Sequence, residues 1–364
     1  MSRRCAMVLR ELKAEGFRCL SSVRFVPGQG VNIICGDNAQ GKTSLLEAIL
    51  YVATSKSHRT SQESELVQHG RPGFRIQADG QRTDRPVSIE ATWWRGQKRF
   101  KVNGVAQDKV SDILGKMPIV FFSPEDVELV RGTAAVRRKF LDMEISQLEP
   151  DYLRALQQYR QALKQRNELL KQNDPEPSLL DVWDEQLVRH ARILVRSRQG
   201  FLDELSETGA PAYETIAEKE RMTLTYAPDI PSGEDHLRVL QETRERDRRY
   251  GVTHRGPHRD DLELTISGKP ARQFGSQGQQ RTAALALKLA ELRLVCRRIG
   301  EYPILMLDDV LSELDTKRSS RLFQTIPGEV QCLLTTTHLS PGAVSPSVTC
   351  SFFQITKGVL TQNP

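Results

Sequence analysis

The sequence predicts an α/β fold whose mixed sheet is interrupted by a helical insertion. Three observations carry that prediction. Short apolar runs at 31–35, 118–122 and 304–307 have the length of strands buried on both faces. The first and third of these belong to strand–loop–helix alternations, at opposite ends of the chain. Between the second and third runs lies a long polar stretch, 125–220, with apolar residues at helical spacing.

Taken in order, residues 8–26 read as two strands around a turn at Gly16-Phe17-Arg18. Val31–Cys35 is a buried strand and 42–53 a helix, with Gly36 and Gly41 punctuating the loop between them. Alternation within 74–102 predicts antiparallel ribbons turning at Arg95-Gly96-Gln97 and closing at Asn103-Gly104. After Ser123-Pro124, Leu153, Leu156, Tyr159, Leu163, Leu169 and Leu170 mark a helix face. A break at Asn173-Asp174-Pro175-Glu176-Pro177 returns the chain through 179–205, a compact helical hairpin of only a few heptads. Strands follow at 222–226 and 262–266, then a helix over 278–298, the strand at 304–307, a helix at 316–325 and a strand at 331–335. The expected division is 1–124 as the N-terminal half of a head, 125–221 as an inserted arm and 222–364 as the C-terminal half of the head.

Composition limits the function classes. The chain has 364 residues, 38% hydrophobic and 27% charged, with a mean hydropathy of −0.46, enough for two or three units with proper cores and unlike a disordered chain. No run is long and apolar enough to span a bilayer, and the basic N-terminus has no apolar stretch behind it, so a soluble cytoplasmic protein is expected. The net charge is +6. Residues 126–224 hold 15 Lys+Arg and 18 Asp+Glu, so the remainder carries +9, a hint of a polyanionic partner. Cysteines at 5, 19, 35, 296, 332 and 350 lack metal-site spacing and read as small buried hydrophobes.

Gly36-Asp37-Asn38-Ala39-Gln40-Gly41-Lys42-Thr43 fits G-x-x-x-x-G-K-[ST], running on into Ser44 at the start of the helix. The loop's N–H groups can curl around phosphate oxygens, Lys42 can reach the β/γ-phosphates of ATP, and the Thr43 hydroxyl can ligate Mg²⁺. Residues 304–307 end in Asp308-Asp309, at the strand tip that opens onto the phosphate side of such a sheet. Asp308 is expected to hold Mg²⁺ and Asp309 to orient the attacking water, which with Lys42 makes the candidate catalytic set. Ser276, the backbone of Gly278 and Gln279, just before the long helix, can form an anion site.

The segment Phe274-Gly275-Ser276-Gln277-Gly278-Gln279-Gln280-Arg281 resembles the signature of ABC-type ATPases, Leu-Ser-Gly-Gly-Gln, with Gln277 in place of the first glycine. The order phosphate loop, signature, acidic strand and then Ser312-Glu313-Leu314-Asp315, which resembles a D-loop, makes the fold similar to an ABC-type ATPase head (P-loop NTPase). Phe17-Arg18, Ser57-His58-Arg59-Thr60, Ser123-Pro124-Glu125-Asp126, Arg137-Arg138-Lys139-Phe140-Leu141-Asp142 and Gly256-Pro257-His258-Arg259-Asp260-Asp261 run in the order of the RecF family of bacterial recombinational repair proteins. The resemblance covers residues 8 to about 340. It implies a homodimer formed with ATP, each nucleotide lying between the phosphate loop of one copy and Ser276 of the other. It also implies slow hydrolysis, binding to duplex DNA or duplex/single-strand junctions, cooperation with RecR and RecO, and no membrane partner.

No convincing Q-loop glutamine is present, and His338 is either a switch histidine or an exposed loop histidine. Arg137, Arg138 and Lys139 form one candidate DNA-contact cluster and Arg293, Arg297 and Arg298 another, while Arg59 and Arg259 could touch nucleotide, DNA or a surface carboxylate. Three rivals compete with the repair reading, one of them a purely structural head for cohesin-like assemblies, which the absence of a long coiled coil opposes. A transporter ATPase subunit would need an apolar docking surface in place of the polar arm, and a small-molecule P-loop kinase would have no use for Ser276.

Overall fold

A computed structural model of the chain describes residues 5–83, 85–172, 176–217, 220–231, 233–313, 316–338 and 349–363. They fall into two compact units, Met1–Asp126 with Leu285–Pro364, and Val127–Ala284.

The first unit is built on two six-stranded sheets. One is antiparallel and takes Leu20–Phe25, Val8–Phe17, Gly73–Gln81, Pro86–Trp94, Gln97–Val102 and Val105–Gln107 in that spatial order. The other runs Val359–Asn363, Cys350–Thr356, Val31–Cys35, Cys332–Thr336, Ile304–Asp308 and Ile119–Phe122. Every neighbouring pair in it is parallel except the C-terminal hairpin. The helix Lys42–Thr54 contacts strands of both sheets and buries every residue but Thr43. That explains its near-continuous apolar sequence, since a helix covered on all sides has no polar face to show. Gln331, wholly buried, ties the sheets together: its amide donates to Leu9 O (3.0 Å) and Gly28 O (2.7 Å) and accepts from Leu9 N–H (2.8 Å).

The second unit is mainly helical, with Ala134–Leu148, Pro150–Leu170 and Pro177–Ala217. Met222–Ala227 pairs antiparallel with Asp261–Ile266, which in turn pairs with Lys269–Pro270. The expected boundaries therefore shift. Residues 222–284, assigned from sequence to the C-terminal half of the head, pack with the helical arm, because the strand Met222–Ala227 lies on Pro177–Ala217 and finds its hydrogen-bonding partner within that unit. The helical hairpin is present, while 173–175 of its break lie outside the described residues. The C-terminal strands Cys350–Thr356 and Val359–Asn363 were not expected at all.

Candidate nucleotide site

Three neighbouring strands of the parallel sheet set the site. The phosphate loop follows Val31–Cys35, Asp308 ends Ile304–Asp308, and Cys332–Thr336 lies between them. Gly41 has φ +112° and Ala39 φ +62°, both in the left-handed region, so the loop turns tightly into the helix. A Cβ on Gly36 would meet Ile355 O at 2.5 Å. The C-terminal hairpin also holds the loop from outside: Lys357 N–H donates to Gln40 Oε1 (2.7 Å) and Gly358 N–H to Gln40 O (2.9 Å).

Lys42 is buried, and its ammonium donates to Gly36 O (2.6 Å) and Asp37 O (2.9 Å). Thr43 Oγ1 donates to Asp308 Oδ1 (3.2 Å), so the two expected metal ligands converge. Thr335, one register step across, donates its hydroxyl to the same oxygen (2.6 Å) and accepts from Asp309 N–H (2.9 Å). Asp309 sits at φ +50°, a strained backbone for a residue with a side chain, and its N–H also donates to Thr335 O (3.1 Å). Burial pushes the Asp308 carboxyl above the usual range. The Thr335 and Thr43 hydroxyls and Lys42 oppose this, and the Asp309 charge adds to it. A buried carboxylate beside a half-buried hydroxyl, with Asp309 next to it, fits a divalent cation with oxygen ligands.

A second layer backs the helix. Glu47, fully buried, accepts from Arg18 Nε (3.0 Å), Arg18 Nη2 (2.8 Å) and Ser57 Oγ (2.5 Å), with Arg59 3.8 Å away. Burial is the largest influence on its carboxyl and acts upward, yet the Arg18 and Ser57 hydrogen bonds and the Arg18 charge hold it below the ordinary value. Arg59 is thus an ion-pair partner here.

In the other unit, Ser276 stands exposed before the helix Gln277–Ile299. It exchanges reciprocal bonds with Gln279: Ser276 N–H donates to Gln279 Oε1 (2.7 Å) and Gln279 N–H to Ser276 Oγ (3.2 Å), a capping box. Gln279 Nε2 also donates to Glu220 (2.6 Å). Of the D-loop, Leu314 and Asp315 and the side chains of 312 and 313 lie outside the described residues. His338 is exposed.

The first DNA-contact cluster needs correcting. Arg137 is buried with its guanidinium forked onto both oxygens of Asp261 (2.6 and 2.7 Å), so its charge is matched inside the fold and cannot serve a phosphate. Arg138 remains half-buried and Lys139 exposed. Thr335 and the 357–358 turn that holds Gln40 are the site residues that sequence reasoning missed. Thr335 carried one signal, a polar residue at the tip of an apolar strand.

A phosphate loop between a central parallel strand and a sandwiched helix, facing an acid-tipped strand two places along the sheet, together with a capped Ser276 helix start, defines an ABC-type ATPase head. A family model, RecF/RecN/SMC N terminal domain, matches residues 8–341. The DNA replication and repair protein RecF of Shouchella clausii is 40% identical over 97% of this chain and 99% of its own length. RecF of Bacillus cytotoxicus is 42% identical over 91% of the chain and 92% of its own length. Among solved structures, the recombination mediator protein RecF with ATP in the RecFOR pathway superposes with a TM-score of 0.91 at 32% identity, covering 100% of this chain and 99% of that one. An Smc head bound to the C-winged helix domain of ScpA shares the fold, with a TM-score of 0.60 at 16% identity over 98% of this chain and 97% of that one. The chain belongs to the RecF family of DNA replication and repair proteins.

Proposed function

We propose that this chain is an ATP-switched DNA-binding protein of recombinational repair. ATP closes two copies around two nucleotides, and the closed dimer holds duplex DNA or a duplex/single-strand junction. There it works with RecO and RecR to load recombinase, in support of replication restart and the SOS response, in the cytoplasm. The observation that carries this reading is that one chain holds both halves of a shared site. Lys42, Thr43 and Asp308 are gathered at the phosphate loop, and the Ser276 hydroxyl is held exposed at a helix start by Gln279.

In this reading Lys42 leaves Gly36 O and Asp37 O for the β/γ-phosphates, and the first turn of Lys42–Thr54 receives phosphate oxygens on its N–H groups. Thr43 and Asp308 would hold Mg²⁺, which would supply neutralisation of phosphate charge. Thr335 fixes the Asp308 carboxylate and, through the Asp309 N–H, the backbone from which Asp309 orients water. An aspartate reaches about one methylene less far than a glutamate, so hydrolysis is slow and times release from DNA, which stimulates it. Asp309→Glu is expected to raise turnover; an unchanged or lower rate would remove this account of the slowness.

The dimer is tested by light scattering with ATP, with ADP and without nucleotide, on wild type, Lys42→Met and Ser276→Arg. A dimer seen only with ATP, and in neither variant, supports the reading. An ATP-bound monomer with Ser276→Arg silent would leave Ser276 as a helix cap alone and bring the kinase reading forward.

A further inference from the structure

The helical unit contains a pocket of about 190 Å³ whose wall includes Arg138, Lys139, Asp142, Tyr159, Arg160 and His258. Its charge is one-sided. Asp142 already accepts from Tyr152 OH (2.5 Å), Arg198 Nη2 (2.9 Å) and Arg160 Nη2 (2.8 Å). Behind the wall, Asp260 is held by Arg198 and Tyr226, and Asp261 by Arg137. Five cations therefore meet three carboxylates. The two left over are Arg138 and Lys139, neither of which has a carboxylate within ion-pair distance among the described residues.

Arg138 is also aimed. Its Nη1 donates to Asp260 O (2.7 Å), which fixes the plane of the guanidinium while leaving its other N–H groups to the pocket. Burial, and the like charge of Arg198 beside it, pull its pKa below the ordinary arginine value against the opposing charges of Asp261, Asp260 and Asp142; a bound anion would act in the same direction as those carboxylates. His258 contributes no positive charge. Its Nδ1 faces Tyr159 OH (2.7 Å) and its Nε2 faces Thr253 O (2.9 Å), an arrangement the neutral ring satisfies, and burial lowers its pKa. The lining thus combines the neutral Tyr159–His258 pair, the Asp142 carboxylate matched by Arg160 and Arg198, and the two cations Arg138 and Lys139 that make no ion pair of their own among the described residues. A planar fork held in advance, next to the exposed Lys139 ammonium, suits a tetrahedral oxyanion.

We infer that this pocket receives a phosphate group, with Arg138 and Lys139 as its ligands and Arg160 at its mouth. The inference rests on the DNA-binding reading above, which makes the phosphate one of the duplex backbone; a small phosphate ligand is the other source of the same chemistry.

Lys139→Gln tests it, because Lys139 is exposed and makes no hydrogen bond that the fold would lose. Binding of the full-length protein to a blunt duplex is measured with ATP across a salt series. Loss of one phosphate contact is expected to weaken binding roughly three- to tenfold and to lower the slope of log K against log salt by about 0.9. In a second arm without DNA, thermal unfolding with inorganic phosphate, against chloride at equal ionic strength, compares Lys42→Met with Lys42→Met/Lys139→Gln, so that the phosphate loop does not contribute. A change in the duplex arm assigns the pocket to the DNA backbone, and a change confined to the second arm assigns it to a small phosphate ligand. No change in either arm, with unfolding in buffer unaltered, overturns the pocket. Failure of wild type to bind duplex at all would instead sink the DNA-binding reading and leave the second arm to judge the pocket.

Discussion

Two regions of the molecule bury cations and treat them in opposite ways. In the helical unit, Arg166 and Arg198 are almost wholly buried, and each is answered by two carboxylates: Asp184 and Asp247 for the first, Asp142 and Asp260 for the second. At the phosphate loop, Lys42 is also buried but rests on two carbonyl oxygens, while the buried Asp308 takes only hydroxyls. Opposite charges brought together in a dry interior lock a scaffold in place. A cation and a carboxylate each kept on neutral partners form a site whose electrostatics are completed by what it binds. Charges matched by charges thus mark the scaffold and charges kept on neutral partners mark the site, and Arg137, forked onto Asp261, belongs with the scaffold.

The largest expected effect breaks the scaffold side. Arg198→Met leaves Asp260 buried without a cation and removes one of two from Asp142, which is expected to cost about 3–5 kcal/mol in chemical unfolding. A loss near zero would mean that the arginine lattice does not hold the unit together.

The second prediction sharpens the functional side. Because burial raises the Asp308 pKa on folding, its protonated form favours the native state, and that support is lost as pH rises from the unfolded carboxylate range through the folded value. Without divalent cations, Asp308→Asn is therefore expected to melt close to wild type near pH 4 and above it at pH 7, by about 2–4 °C. Added Mg²⁺ should raise wild type alone. A gap that does not widen with pH would place Asp308 among the matched charges.

The smallest effect probes the hairpin that braces the loop. Gln40→Ala removes the acceptor for Lys357 N–H and is expected to weaken nucleotide binding a few-fold, corresponding to about 1 kcal/mol, as read by calorimetry. Unchanged affinity would show that the loop is held by its glycines alone.

The site was legible in the sequence to the extent that its parts are contiguous. Gly36 to Thr43 is a local motif, and Asp308-Asp309 closes a recognisable buried strand. Thr335 reaches Asp308 only because two strands pair in register, and Gln40 meets a turn more than three hundred residues further along the chain. Neither relation leaves a trace in local spacing. Arg137 misled for the same reason: beside Arg138 and Lys139 it reads as a basic patch, while its true neighbour, Asp261, is 124 positions away. The C-terminal strands were overlooked although Phe353 and Ile355 alternate with more exposed neighbours and Lys357-Gly358 is a plausible turn. Residues 222–284 were misplaced because a strand pattern does not say which sheet will take it.

The strand that carries the phosphate loop has a consequence for the protein's synthesis. Val31 pairs with Cys332 on one side and Cys350 on the other, so neither neighbour exists when the loop emerges from the ribosome. At typical translation speeds the last of these partners follows roughly 15–60 s later. The helical unit, whose residues all lie between 127 and 284, is complete well before those partners and can fold in that interval. The nucleotide site is therefore among the last parts to assemble, and a truncated or stalled chain would carry the arm without the means to bind ATP.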